Sequence, residues 1–315
     1  QVGKSQKGGG LVDGLASKLL PMSKTNLLVL VSLLLLNYFM HLQKKGGMKQ
    51  RGGGMGALMT LLAPVGTNAF VSSLLLVLAN SFMSKSAIGL FDSGVGGLTV
   101  VNALVQSTSS ETIYYVGDTA RVPYGNKSRK IIQQYSEEII DWLIKKDCKM
   151  VIVACNTASS LAIDYLQNKF SLPIIGVIDP GVQLAISRTK SQSIGVIGTH
   201  ATIQSNAYGE KLKSIRSKIN IFNQSCPLFV PLVEEGLTKG PITKLIAESY
   251  LSHFKNTDVD TLILGCTHYP ILTAVIKDVI GTNISLVDSG KATAEVVMDI
   301  LNKNGILSEE SNGGV

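Results

Sequence analysis

The sequence predicts an α/β protein of two similar domains, each on a mostly parallel sheet, facing one another across a cleft with pseudo-twofold symmetry. Three observations carry this. Between residues 86 and 315, eight short apolar runs alternate with longer stretches of helical periodicity, as in parallel strands covered by helices. Two strand ends are near-copies. MVIVA runs into Cys155-Asn156-Thr157-Ala158-Ser159, and TLILG runs into Cys266-Thr267-His268-Tyr269-Pro270, 111 residues later. A repeat at about one domain length is the imprint of an internal duplication. Third, the charge changes character near residue 85. Residues 1–85 hold nine Lys/Arg and the single acid Asp13, whereas residues 86–315 hold twenty Lys/Arg and twenty-one Asp/Glu. The net charge of +7 therefore belongs to a basic, apolar N-terminal leader, and the body is neutral.

Taken in order, the strands are expected at 87–91 (AIGLF), 112–116 (TIYYV), 150–154 (MVIVA) and 174–178 (IIGVI). A second set follows at 193–197 (SIGVI), 220–222 (NIF), 261–264 (TLIL) and 284–287 (ISLV). Each is a short, continuous apolar run, the mark of a strand buried on both faces. The amphipathic stretches between them predict helices over 98–106, 128–145, 159–169, 181–187, 202–215, 242–254, 271–279 and 291–302. In open parallel sheets ligands sit beyond the carboxyl ends of the strands, so the residues just after each strand carry the chemistry.

Composition narrows the function class. With 45% hydrophobic and 16% charged residues, and mean hydropathy +0.27, the chain is neither disordered nor a nucleic-acid coat. Cys148, Cys155, Cys226 and Cys266 contain no C-x-x-C, and the four histidines have no metal-ligand spacing. Zinc-ribbon and thioredoxin motifs are thus excluded, and free thiols in a reducing compartment are expected.

The leader is read separately. Residues 25–43 are uncharged, just long enough for a membrane helix of about twenty residues. A basic loop, KKGGMKQRGGG, follows at 44–54, then a second uncharged stretch over 52–84, broken by Pro64, Gly66 and Asn68. One or two membrane segments, or a leader outside the working protein with translation starting at Met83, are the open readings. Unbroken, 69–83 is too short to cross. One span at most, and a cytoplasmic active site, are expected.

At the strand ends, a cysteine at a helix N-terminus lies near exposed N–H groups and the positive dipole end, which lowers its pKa from about 8.5. Neighbouring Asn and Thr add donors for a carboxylate. Two such cysteines on opposite sides of one carbon can invert a stereocentre, one thiolate removing the proton and the opposite thiol returning one. Asp92 in DSGVGG either caps the helix behind it or serves the site. The glycines of that loop lack dinucleotide and Walker spacing and are expected to let the backbone approach a small ligand. His268 is expected as a proton relay. Glu234 in PLVEEG is either a solvated helix end or part of the site. Cys148, in the polar turn KKDCK, and Cys226, in QSCP, are expected to be non-catalytic, and the run KLKSIRSK at 211–218 a solvated face.

Together FDSGVGGLTV (91–100), VPYGNKS (122–128), ACNTAS (154–159), CPLFVPLVEEG (226–236) and LGCTHYP (264–270) resemble the glutamate racemase family, in the family's order and over about residues 86–310. The resemblance implies cofactor-independent racemisation of glutamate supplying D-glutamate for peptidoglycan. It implies Cys155 and Cys266 as the catalytic acid/bases, Asp92 and His268 assisting, and Glu234 nearby. Asp92, Ser93, Tyr124, Gly125, Asn156, Thr157, Thr267 and His268 would contact the substrate. It also implies two α/β domains, 86–180 with 288–315 and 181–287, the C-terminal segment returning to the first. No cofactor, metal or nucleic acid is expected. Glutamate is the expected small-molecule partner, with association to membranes through 25–43 and a homodimer both compatible with the reading. Asp179-Pro180 stands where members often have Glu-Pro, a change at a hinge or supporting carboxylate. The alternatives are an aspartate or other amino-acid racemase, or a non-catalytic partner of DNA gyrase. His268, acidic in aspartate racemases, favours glutamate, and the intact cysteine pair favours catalysis.

Overall fold

The computed structural model describes Met83, residues 86–108 and residues 110–308, all within one compact unit. The expectations about 25–43 and 52–82 lie outside the described residues. Among the described residues no helix is long and apolar enough to cross a membrane.

The chain forms two α/β domains, each on a four-stranded parallel sheet. The first sheet has β1 (Ala87–Asp92), β2 (Ile113–Gly117), β3 (Cys148–Val153) and β4 (Ile174–Gly176), in the order β2-β1-β3-β4. The second has β5 (Ser193–Gly198), β6 (Asn220–Ser225), β7 (Thr261–Gly265) and β8 (Ser285–Asp288), in the order β6-β5-β7-β8. The order is the same with every number raised by four, so the duplication read from the two cysteine motifs is written in the topology. β1 corresponds to β5, and β3 to β7. The four central strands are buried throughout, which is why they read as unbroken apolar runs.

Helices α1 (Leu98–Ser107), α2 (Arg129–Ile144), α3 (Asn156–Leu161) and α4 (Ile163–Lys169) accompany the first sheet, and α5 (Ile178–Arg188) leads to the second. Then come α6 (His200–Gln204), α7 (Ala207–Ile215), α8 (Phe229–Glu234), α9 (Pro241–Leu251), α10 (Thr273–Ile280) and α11 (Ser289–Lys303). Alternation along β1 sends Phe91 to a core with Ile132, Ile140 and Leu143 of α2. Ile88 and Leu90 face the other way, into a core with Leu104 of α1 and Val297 and Leu301 of α11. The last helix thus packs on the first sheet although its strand, β8, belongs to the second.

Several boundaries differ from expectation, each for a local reason. The fourth strand stops at Gly176 and α5 starts at Ile178, because Asp179 and Pro180 both suit a first helical turn. The stretch 159–169 divides at Ala162, whose dihedrals leave the helical region. The stretch 202–215 divides at Asn206, which takes φ +54°, a left-handed conformation asparagine tolerates. Helix α8, six residues that include Pro231, is too short to show a helical period, and only its end at Glu234 is legible in the sequence. Cys148 is corrected from turn to strand: Asp147 makes the turn at φ +58°, and Cys148 opens β3, buried. The run 211–218 is exposed as expected, save Leu212.

Candidate active site

The carboxyl ends of the two sheets deliver their residues to a cavity of about 390 Å³. β1 ends in Asp92-Ser93, β3 runs into Cys155, β7 into Cys266, and β5 into Thr199. Ser93, Cys155, Asn156, Thr199, Cys266 and His268 are among the lining residues.

Cys155 is the residue before α3, and its Sγ accepts the Ala158 N–H at 3.5 Å. Its thiol is nevertheless pushed up to about 11, by burial first and by the Asp92 carboxylate second, with the Ala158 and Ser93 bonds only partly offsetting. The expected lowering by a helix N-terminus is therefore overturned: loss of hydration outweighs the dipole. No α-helix starts at Cys266: the short 3₁₀ turn Tyr269–Leu272 comes first, and α10 follows only at Thr273. Burial again pushes its thiol well up, aided by Asp92 and Cys155 and opposed by a backbone bond from His268.

Asp92 is fully buried. Its Oδ2 accepts the N–H groups of Gly94 at 3.2 Å and Gly97 at 3.0 Å, and its Oδ1 accepts the Thr267 hydroxyl at 3.4 Å. It thus secures the loop leading into α1 and stands between the two cysteine motifs. Burial raises its pKa to about 6 against the pull of His268 and the N–H groups. Two glycines of the loop leave room for protein neighbours. A Cβ on Gly96 would lie 2.4 Å from the His268 ring and 2.6 Å from the Thr267 hydroxyl, and one on Gly97 would lie 2.4 Å from Asp92 Cβ. At Gly96 the loop meets the other domain, and at Gly97 it closes on its own Asp92.

His268 lies with Nδ1 at 3.8 Å from Cys266 Sγ and Nε2 at 3.2 Å from Glu234 Oε1. Glu234, the last residue of α8, is 41% exposed. It joins the site while remaining wet. Tyr124 is buried and donates its hydroxyl to Asp118, which also holds Arg121 at 2.7 Å. Tyr124 and Gly125 both line the cavity. Thr157 meets Thr199 at 3.0 Å and Thr202 at 3.3 Å, and these two are 3.0 Å apart. Three hydroxyls thus tie the domains together. Thr199 was not singled out from sequence, yet its signal was present: it follows β5 as Asp92 closes β1. Asp179 pairs with Lys211 at 3.0 Å on the exposed surface and does not line the cavity. Cys148 and Cys226 are buried away from it. Among the described residues no three His, Cys, Asp or Glu gather as metal ligands.

Two duplicated α/β domains with a cysteine beyond equivalent strands, sharing one cavity, define a class. The chain belongs to the Asp/Glu/Hydantoin racemase family, whose profile matches residues 88–297, and it is an isomerase. Within that family its likeness is to glutamate racemases. It is 47% identical over 232 residues to the glutamate racemase of Geobacter metallireducens, covering 74% of this chain and 86% of that one. A crystal structure of a glutamate racemase isoform from Bacillus anthracis matches with TM-score 0.71 and 39% identity, over 73% of this chain and 86% of that one. One from Francisella tularensis, in complex with D-glutamate, matches with TM-score 0.68 and 39% identity, over 72% and 84%.

Proposed function

We propose that the chain interconverts L- and D-glutamate by proton transfer at Cα between Cys155 and Cys266, with no cofactor. The observation that carries the reading is the pair of thiols beyond equivalent strands on one cavity, each with its own ionisable neighbour. The similarity to glutamate racemases, one of them bound to D-glutamate, supports the choice of substrate.

In the proposed cycle one cysteine, as thiolate, takes the Cα proton and becomes a thiol. The opposite cysteine gives its proton to the other face and becomes the thiolate, so the product leaves the pair in exchanged protonation states. Asp92 serves Cys155, and His268, steadied by Glu234, serves Cys266. The raised thiols need help to ionise. The substrate ammonium supplies it by bringing a positive charge beside the buried thiols, where charge interactions are strong, while Asp92 or His268 takes up the proton that the thiol loses. Ser93, Tyr124, Gly125, Asn156, Thr157, Thr267 and His268 hold the two carboxylates and the ammonium. The D-glutamate formed serves peptidoglycan, and hence cell shape, in the cytoplasm, where free thiols persist.

The test is racemisation of each enantiomer by the full chain without added cofactor, followed by circular dichroism and repeated with a chelator. Cys155→Ala and Cys266→Ala should each reduce turnover by roughly 10³-fold or more. Near wild-type turnover in either variant sinks the two-thiol reading. Loss of activity on chelation, restored by a metal, sinks the cofactor-free one. Reaction of a membrane-impermeant thiol reagent with Cys155 or Cys266 in intact cells would refute the cytoplasmic placement.

A further inference from the structure

Asn156 opens α3 and lines the cavity, and only 3% of it is exposed. Its Oδ1 accepts the Tyr208 hydroxyl at 2.6 Å. Its Nδ2 is buried and has no hydrogen-bond partner among the described residues. A buried N–H left unpaired costs stability, so the folded protein alone does not reward this arrangement. A side-chain amide has one accepting and one donating end. With the accepting end tied to a phenol, the end left over is the donor, and it calls for an acceptor from outside the chain.

Tyr208 is itself fixed. It is buried on α7, in the second domain, among Ile178, Val182, Leu212 and Ile263. Its ring lies against Gly265, the residue before Cys266: a Cβ there would stand 3.2 Å from Cε2. On the other side it faces Gly181 of α5, where a Cβ would stand 3.7 Å from Cε1. Burial drives the phenol above its usual range, against a hydrogen bond with Ser289, which favours the proton that the hydroxyl donates. Tyr208 therefore touches both cysteine motifs, through a hydrogen bond to the residue after Cys155 and through packing on the residue before Cys266.

We propose that Tyr208 is a positioning residue for substrate binding: by occupying Asn156 Oδ1 it holds the amide so that Nδ2 donates to a substrate carboxylate. The inference rests on the reading of this cavity as the glutamate site. Without the phenol, the amide is free to turn its oxygen toward the carboxylate, and an attraction becomes a repulsion.

The test is a kinetic cycle on L- and D-glutamate with Tyr208→Phe, Asn156→Ala and the double variant. Tyr208→Phe should raise KM about tenfold in both directions and leave kcat within about threefold, and in the Asn156→Ala background it should add nothing. A merely structural tyrosine would lower kcat and melting temperature and add its effect to that of Asn156→Ala. Unchanged KM in Tyr208→Phe, or full additivity, overturns the proposal. Should Tyr208→Phe fail to fold, the side-chain NH₂ resonances of Asn156 in the wild-type protein decide. They should shift on adding D-glutamate, and resonances that stay in place overturn the proposal. A wild-type chain that does not racemise glutamate refutes instead the functional reading on which this one rests.

Discussion

At the residue scale the decisive side chain is Asp92, a carboxylate sealed from water yet set beside both thiols. Its ordinary pKa of 3.8 rises to about 6 in the folded protein. The sign follows directly. A carboxyl raised on folding favours the native state while it is protonated, so its contribution is present below about pH 4 and is lost as pH rises through 6. Above that, the buried charge costs on the order of 3 kcal/mol. Asp92→Asn keeps an oxygen for the Gly94 and Gly97 N–H groups and removes the charge. It should melt above the wild type at pH 8, with the gap shrinking toward pH 4, as thermal melts at the two pH values would show. Activity should move the other way. In the wild type kcat/KM should fall below about pH 6 as Asp92 takes up its proton, and Asp92→Asn should be slow at every pH, without that limb. A stabilising substitution that disables turnover is what a site holding an uncomfortable charge for chemistry should show.

At the scale of elements, the loop between β1 and α1 joins the domains by leaving side chains out. Gly96→Ala places a methyl group on the His268 ring and the Thr267 hydroxyl, overpacking that costs about 1–3 kcal/mol. It should lower kcat at least tenfold, because the group displaced is the neighbour of Cys266. Gly94→Ala is the control: its Cβ would meet only the end of the Val122 side chain, at 3.2 Å, and it should keep most activity and stability. Steady-state kinetics and melting curves on the pair would separate a packing constraint from general intolerance of the loop. The same loop marks how far the sequence was legible. The strands were readable because the central ones are buried on both faces, and the cysteines because a duplication repeats their surroundings. The purpose of Gly96 was not, since the group it clears lies 172 residues away. Nor were the bonds of Thr157 to Thr199 and Asn156 to Tyr208, 42 and 52 residues apart and crossing between domains. The direction of the thiol shifts was misread for a related reason: a helix start is visible in sequence, and the burial that overrides it is not.

At the scale of the whole molecule, the two halves are duplicates in topology and unlike in their closures. Helix α11 leaves the second sheet, is started by Asp288 accepting the Gly290 N–H at 2.9 Å, and packs on the first sheet beside α1. The segment after it is then fastened by a buried ion pair. Lys149 Nζ lies 2.6 Å from Glu111 Oε2, with almost no exposure of either side chain, and also donates to the Ile306 carbonyl at 2.9 Å. Glu111 Oε1 in turn accepts the Ser308 N–H at 2.8 Å. Lys149 sits in β3, six residues before Cys155, so the segment through Ser308 is anchored on the strand that leads to Cys155. Buried pairs add little net stability when compared with apolar residues of the same size, but removing one partner strands the other. Lys149→Met should therefore cost about 3–5 kcal/mol in urea unfolding and open the chain beyond Lys303 to protease. Lys149→Met combined with Glu111→Gln, which leaves no buried charge, should recover much of that loss. If the double variant proves no more stable than Lys149→Met alone, the stranded carboxylate is not what destabilises the single variant, and the ion pair is not what holds residues 304–308.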